Sequence, residues 1–336
     1  MAIRPLRGVL GSLKWVLCAF GAAALVLTAM IATPLQRPAE LRSVSDSRKG
    51  GDISILSPIE RFQARDGTWL GFRHYVPRGP ASGRGAIFIH GSSGSSDTIN
   101  GVLPAALAAR GVETWAIDIR GHGASGTRGD IGHVGQLEDD LADFVAHLRK
   151  SVPDLPLTLI GHSSGGGFAL RVAATPAMQH LFVRTVLLAP YLGYDAPTNK
   201  PDSGGWANAD VPRIIGLQIL RRIGIDCCEH LPTVAFAVPP NSEKILVPAY
   251  SDRLMRNFAT RGYRIDFPAV ARPLTIFAGA EDEMMVSENY AQVVQALKPS
   301  VDVRIIEGVN HMGIVVNPNA VSAITEDVAT REAGEP

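Results

Sequence analysis

The chain has 336 residues, 46% of them hydrophobic, and its 32 Lys and Arg balance 32 Asp and Glu. That length holds one large α/β domain with an insertion, or two small domains, with enough apolar residues for a sizeable core. The charge balance excludes broad electrostatic capture of nucleic acid, and Cys18, Cys227 and Cys228 have the spacing of neither a metal site nor a disulfide framework. Neighbouring Cα atoms lie about 3.8 Å apart, closer than disulfides prefer, so Cys227 and Cys228 are expected as free thiols.

The first element is an apolar run, Trp15 to Ala32, whose only clearly polar member is Thr28. As a helix it spans about 27 Å, close to the ~30 Å of a bilayer's hydrocarbon core. Arg4, Arg7 and Lys14 precede it, so residues 1–14 form a basic N-terminus. A cleaved signal peptide is the competing reading. Its apolar region is shorter, and cutting after Ala32 or Ala29 places Met30 or Leu27 where a small residue is needed. Residues 15–32 are therefore expected to be an uncleaved single-pass membrane anchor. Arg37, Arg42, Arg48 and Lys49 follow it, so the positive-inside balance is not one-sided; the expectation is an N-terminus inside and a catalytic domain on the non-cytoplasmic side. Residues 33–57, rich in Pro, Ser, Arg and Gly without an apolar period, read as a linker.

Ile59–Ala64 and Trp69–Val76 flank Asp66-Gly67, a hairpin signal. Strands and helices then alternate: strand Ala86–His90, helix Ile99–Arg110, strand Thr114–Asp118, a helix carrying Leu137, Leu141, Phe144, Val145 and Leu148, strand Leu157–Ile160, helix Gly165–Ala174 and strand Val186–Ala189. After an irregular stretch come strand Leu274–Ala278, helix Glu288–Leu297, strand Val303–Ile306 and a helix over Ala320–Thr330. This alternation predicts an α/β fold, a mostly parallel sheet flanked by helices, built from residues 58–190 and 270–330. Residues 191–269 interrupt the rhythm and read as an inserted cap with helical fragments Arg213–Ile223 and Asp252–Phe258. The cap offers Trp206, Ile214, Ile215, Leu217, Ile219, Leu220, Phe236, Leu254 and Phe258 as apolar cover for the site.

Gly161-His162-Ser163-Ser164-Gly165 lies between a strand and a helix, the context of a nucleophile elbow. Glycines permit the sharp turn, and the helix N-terminus favours developing negative charge. The frame selects Ser163, because centring on Ser164 would need glycine where His162 stands. In this chain order the acid and then the base follow the serine. Asp282, in Gly279-Ala280-Glu281-Asp282-Glu283, is the expected acid; Glu281 and Glu283 read as solvated loop charges. Only His311 lies beyond it, so order alone removes the other eight histidines. His90 and His162 are expected to pack around the elbow. Backbone N–H groups of Ser92 and Ser164 are expected to form the oxyanion hole, with Ser93 in reserve for Ser92.

His90-Gly91, Asp118-Ile119-Arg120-Gly121-His122-Gly123-Ala124-Ser125, Gly161-His162-Ser163-Ser164-Gly165-Gly166, Asp282 and His311 together resemble α/β-hydrolases of the monoacylglycerol lipase and lysophospholipase group, also labelled the serine aminopeptidase S33 family. Arg128-Gly129 before an acidic-apolar helix resembles it too. The resemblance covers Ile59 to Thr330 and implies a carboxylic ester substrate, a small molecule or lipid, and no cofactor. The N-terminal segment and the cap depart from it. Amide or peptide hydrolysis would use the same triad. Halide or epoxide chemistry would want an Asp nucleophile, and a tethered non-catalytic binding protein would not need the complete set.

Overall fold

Apolar runs of five or six residues have to be covered on both faces, and that requirement sets the architecture. The computed structural model describes residues 6–49, 53–242 and 245–330. Helices α1 (Leu6–Ala32) and α2 (Arg42–Lys49) come first, then strands β1 (Ile59–Gln63) and β2 (Trp69–Tyr75). β3 (Gly85–Ile89), α3 (Val102–Ala109), β4 (Glu113–Ile117), α4 (Gln136–Leu148), β5 (Leu157–His162), α5 (Ser164–Ala173) and β6 (Arg184–Leu188) alternate after them. An insertion follows: β7 (Ala207–Ala209), α6 (Val211–Arg222), β8 (Pro232–Phe236), β9 (Ala249–Ser251), α7 (Asp252–Asn257) and α8 (Tyr263–Ala269). The chain returns through β10 (Leu274–Gly279), α9 (Asn289–Gln295), β11 (Asp302–Ile306) and α10 (Pro318–Thr330).

The main sheet runs β1-β2-β4-β3-β5-β6-β10-β11. The first two strands are antiparallel to their neighbours and the remaining six are parallel. Phe144 of α4 and Phe168 of α5 belong to the core on one face; Leu107 of α3 and Ile324 of α10 belong to that on the other. This is an α/β-hydrolase fold. Central β3, β5 and β6 are buried at every residue, so the loops at their C-terminal ends sit on a rigid base.

Three features differ from the sequence expectation. The segment read as an unstructured linker contains α2 and a 3-10 turn over Ile53–Ile55, because Val44 is buried and Leu41 packs against the core. The insertion holds a three-stranded antiparallel sheet, β7-β8-β9, whose strands are only three to five residues long. The first helix begins at Leu6, eight residues before Lys14. Its stretch Lys14–Ala32, 19 residues, is long and apolar enough to cross a membrane, with Trp15, Phe20 and Leu25 exposed; a signal sequence near the N-terminus can meet the same criterion. Cys18, Cys227 and Cys228 carry free thiols.

Arg120 ties the sheet to the helix layer. Its guanidinium makes a two-pronged contact with Asp140 of α4, both bonds at 2.7 Å, and a second with Asp66 in the β1–β2 turn at 2.8 and 3.1 Å. The arginine holds the Asp66 carboxyl down at about 2. Arg120→Ala would leave the mostly buried Asp140 without its counter-charge. Urea denaturation followed by tryptophan fluorescence should show a loss of about 3–5 kcal/mol, and Arg120→Lys should recover only part of it because an ammonium cannot make two forks.

Candidate active site

At the end of β5 the chain has to reverse into α5 within a single residue. A Cβ at Gly161 would lie 2.2 Å from the Gly165 carbonyl oxygen, and one at Gly165 would lie 2.3 Å from that of His90. Only glycine fits either place. Between them Ser163 adopts φ 54°, ψ −118°, a conformation that costs a non-glycine residue roughly 1–3 kcal/mol. Its backbone is held there on both sides. The N–H donates to Leu188 of β6 at 2.9 Å, and the carbonyl accepts from Gly167 and Tyr191, both at 3.0 Å.

The loop after β10 carries Asp282. Gly279 again admits no side chain, since a Cβ would meet the Val309 carbonyl oxygen at 2.0 Å, and this lets the loop after β11 lie across the strand end. One Asp282 oxygen accepts from the backbone N–H of Met284 and Met285, each at 2.8 Å. The other accepts from His311 Nδ1 at 2.8 Å. Burial works against charge on Asp282, but His311 and these bonds hold its carboxyl below the usual value. Burial likewise works against charge on His311, yet the Asp282 carboxylate holds its imidazole above the usual 6.5. The Asp282 carbonyl also accepts from Lys200 Nζ at 2.6 Å.

Three other histidines are buried nearby, and burial pushes all of them down. His162, at about 3, donates through Nε2 to the His311 carbonyl at 3.2 Å. His90 donates to the Gly91 carbonyl and accepts from Ile119 N–H. They hold loops in place around the elbow. Glu283 does not stand in solvent as the sequence suggested: its Oε2 accepts from the backbone N–H of His311 at 2.9 Å and steadies the histidine loop.

Ser163, His311, Gly91 and Ser92 line one small cavity of about 30 Å³. Ser163, Ser92 and Ser164 also face a larger cavity of about 550 Å³, lined by cap side chains including Trp206, Phe236, Met255 and Phe258. Of the apolar cap residues singled out in the sequence, Leu217 and Leu254 are buried but line neither cavity, and Ile215 and Ile219 are exposed.

The loop after β3 is fastened to the cap. Ser92 Oγ accepts from Trp206 Nε1 at 2.8 Å. Ser93, at φ 67°, makes two hydrogen bonds with Val247 of the cap: the Val247 N–H donates to its carbonyl at 2.9 Å, and its hydroxyl donates to the Val247 carbonyl at 2.6 Å. The Ser93 N–H donates to the Tyr250 hydroxyl at 2.5 Å, which takes it out of the reserve for anion binding. Tyr250 donates in turn to His122 Nε2 at 2.5 Å, and burial keeps the tyrosine protonated and the histidine neutral. Sequence reasoning missed Trp206's polar role and Tyr250 altogether; no spacing marks a contact that spans 157 residues.

The sequence model of the serine aminopeptidase S33 family matches residues 84–315, which contain the elbow, Asp282 and His311. The chain belongs to this family. A monoglyceride lipase homolog from monkeypox virus is 23% identical to this S33-family hydrolase over 233 residues, 67% of the chain and 80% of the viral protein. Monoglyceride lipase of Mus musculus is 31% identical over 110 residues, 32% of the chain and 36% of the mouse protein. A soluble variant of Saccharomyces cerevisiae monoglyceride lipase, solved with a substrate analog, shares the fold with a TM-score of 0.64 at 16% identity, covering 82% of this chain and 94% of that one.

In this S33-family hydrolase, Tyr250→Phe would orphan the Ser93 N–H and the His122 acceptor without changing the apolar packing. The expected result is a fall in kcat on an activated ester on the order of 10- to 100-fold with KM little changed, because displacing the loop beside Ser163 disturbs geometry rather than binding. Steady-state kinetics on the two proteins provides the check.

Proposed function

We propose that this hydrolase is a membrane-tethered serine esterase that cleaves single-chain acyl esters, such as monoacylglycerols or lysophospholipids, through an acyl-enzyme on Ser163. The observation that carries the reading is the Asp282–His311 bond of 2.8 Å, with His311 lining the small cavity that Ser163 also lines. Asp282 fixes the ring with Nδ1 protonated and leaves Nε2 as the base. His311 takes the Ser163 hydroxyl proton as Oγ attacks the ester carbonyl. The tetrahedral oxyanion rests on the backbone N–H groups of Ser92 and Ser164, the latter at the first turn of α5. His311 then returns the proton to the leaving alcohol. Water, deprotonated by the same ring, hydrolyses the acyl-enzyme and releases the fatty acid. No cofactor is required at any step.

Substrate class follows from the larger cavity, whose lining is mostly apolar and large enough for an alkyl chain. Relatives named as monoglyceride lipases support the same choice. Tethering rests on Lys14–Ala32, an exposed apolar helix of membrane-crossing length. In this reading residues 15–32 stay on the mature protein, residues 191–269 form the cap, and the catalytic domain lies on the non-cytoplasmic side.

Labelling of the full-length protein with a fluorophosphonate should modify Ser163, and Ser163→Ala should abolish labelling and lower kcat by about 10⁴-fold or more. Retained labelling in that variant would remove Ser163 from the mechanism. The pH dependence has a definite sign. His311 acts only when neutral, and Asp282 raises it above 6.5, so the acidic limb of kcat/KM should lie above that value. Asp282→Asn should lower activity severely and move the residual limb downward. For p-nitrophenyl esters, kcat/KM should climb from acetate by up to about fourfold per methylene, from ~0.8 kcal/mol each, and level off when the cavity is full. A flat series would discount the acyl-chain role of the cavity.

A further inference from the structure

The charges on the lining of the large cavity all have one sign. Arg171, Arg256 and Arg261 face it; among the described residues no lysine, histidine, aspartate or glutamate does. An alkyl chain has no use for guanidinium groups, which are costly to place against hydrocarbon without an anionic partner.

Helix α5 brings the three together. Ser164 and Arg171 both line the cavity and stand two turns apart on one helix face, which puts Arg171 about 12 Å along the helix from Ser163 at roughly 1.5 Å per residue. Gly167 lies between. A Cβ there would lie 2.4 Å from the Tyr191 carbonyl oxygen and 3.3 Å from the Thr260 nitrogen, so its absence lets the 259–261 segment cross α5 one turn from Ser163. Arg171 Nη1 donates to the Arg256 carbonyl, and Arg261 Nη2 donates to the Ala174 carbonyl, both at 3.2 Å.

Each cation is held by carboxylates that do not line the cavity. Arg171 pairs with Glu138, Arg256 with Asp252 and Glu229, and Arg261 with Asp266; Arg221 shares Asp252 and Glu229 with Arg256. The pairs fix the guanidiniums, yet the wall receives only their positive members. One nitrogen of each, Nη2 of Arg171 and Nη1 of Arg256 and Arg261, donates to no acceptor among the described residues. This side of the cavity is the open one. Tyr194 is 89% exposed and the Arg261 side chain 38%, whereas Phe236, Met284 and Trp206, the last bonded to Ser92, are buried. An amphiphile lying across Ser163 places its tail among the buried side chains and its polar end among the arginines.

We propose that Arg171, Arg256 and Arg261 bind a phosphate on the leaving-group side of the substrate, so that the preferred ester is an anionic lysophospholipid and not a neutral monoacylglycerol. This rests on the acyl-ester reading of Ser163. A glycerol unit and an arginine side chain bridge the gap between the scissile carbonyl and the guanidiniums, whose forks match phosphate oxygens. His311 protonates the glycerol oxygen, the alcohol leaves with its phosphate attached, and water releases the fatty acid from Ser163.

The substrates 1-oleoyl-lysophosphatidylglycerol and 1-monooleoylglycerol share the acyl chain and the glycerol ester and differ in the phosphate. With full-length protein in a nonionic detergent, kcat/KM should be at least about tenfold higher on the lysophospholipid. Raising sodium chloride from about 0.05 to about 0.5 M should narrow that ratio. In Arg256→Gln and Arg261→Gln the ratio should fall about tenfold, mainly through KM, and Arg261→Lys should recover part of it. A folding defect would lower both activities together and leave the ratio unchanged. Equal kcat/KM on the two lipids in the wild-type protein, or a ratio that neither salt nor either substitution moves, would overturn the phosphate site while the esterase reading stands. Failure to cleave either lipid or p-nitrophenyl butyrate would remove both. The p-nitrophenyl monoester of hexadecanedioic acid, compared with p-nitrophenyl palmitate, tests an anion at the tail end; an equal gain from that carboxylate would also overturn the assignment.

Discussion

Everything at the catalytic end of the sheet depends on a steric constraint, the absence of room for a Cβ at Gly161 and Gly165. The strand and the helix approach so closely there that their backbones touch, and Ser163 is the one residue left to make the reversal. Its strained conformation survives because Leu188, Gly167 and Tyr191 bond its backbone from neighbouring elements. Those bonds require β6 beside β5 and α5 behind it, so the parallel sheet and the elbow stabilise each other. A third glycine, Gly279, does for the acid loop what these two do for the serine, opening the strand end to the loop that presents His311.

The parts of the protein that follow a local period were legible in the sequence. β5, α5 and the serine between them could be placed from residue spacing, and chain order singled out His311 among nine histidines as the expected base. Four histidines are buried in this region, but only His311 has a carboxylate at its Nδ1, and only it is raised by its surroundings. What could not be read is what depends on contacts between distant segments. The strands of the cap sheet are too short to establish alternation, and β8 begins at Pro232. Glu283 looks like any exposed loop acid until the fold brings the His311 backbone to it. Ile215 and Ile219 show the helical repeat of a buried face, yet they are exposed, because periodicity reports that a face is apolar and not what lies against it.

Tyr250 is both acceptor for Ser93 and donor to His122, whose other nitrogen reaches the Arg120 carbonyl. Each group has one proton arrangement that serves its neighbours, and burial of Tyr250 and His122 fixes that arrangement by disfavouring every charged alternative. The network thus links the cap to the Arg120 segment that also holds Asp66 and Asp140.

The three hydrogen bonds that fasten Ser93 to Val247 and Tyr250 bear on how a fatty ester reaches Ser163. A cap that swung away as a trapdoor would pull the loop after β3 with it and dismantle the site in the act of exposing it. The cap behaves instead as a keystone, part of the arch rather than a door in it. Under the proposed function, traffic would then have to run through a standing portal: the alkyl tail would thread in end-on, the headgroup would stay at the threshold, and the freed alcohol would depart without the tail having to turn. Selection between substrates would become a matter of cross-section, with a single slender chain admitted and branched or multiply acylated lipids halted at the doorway.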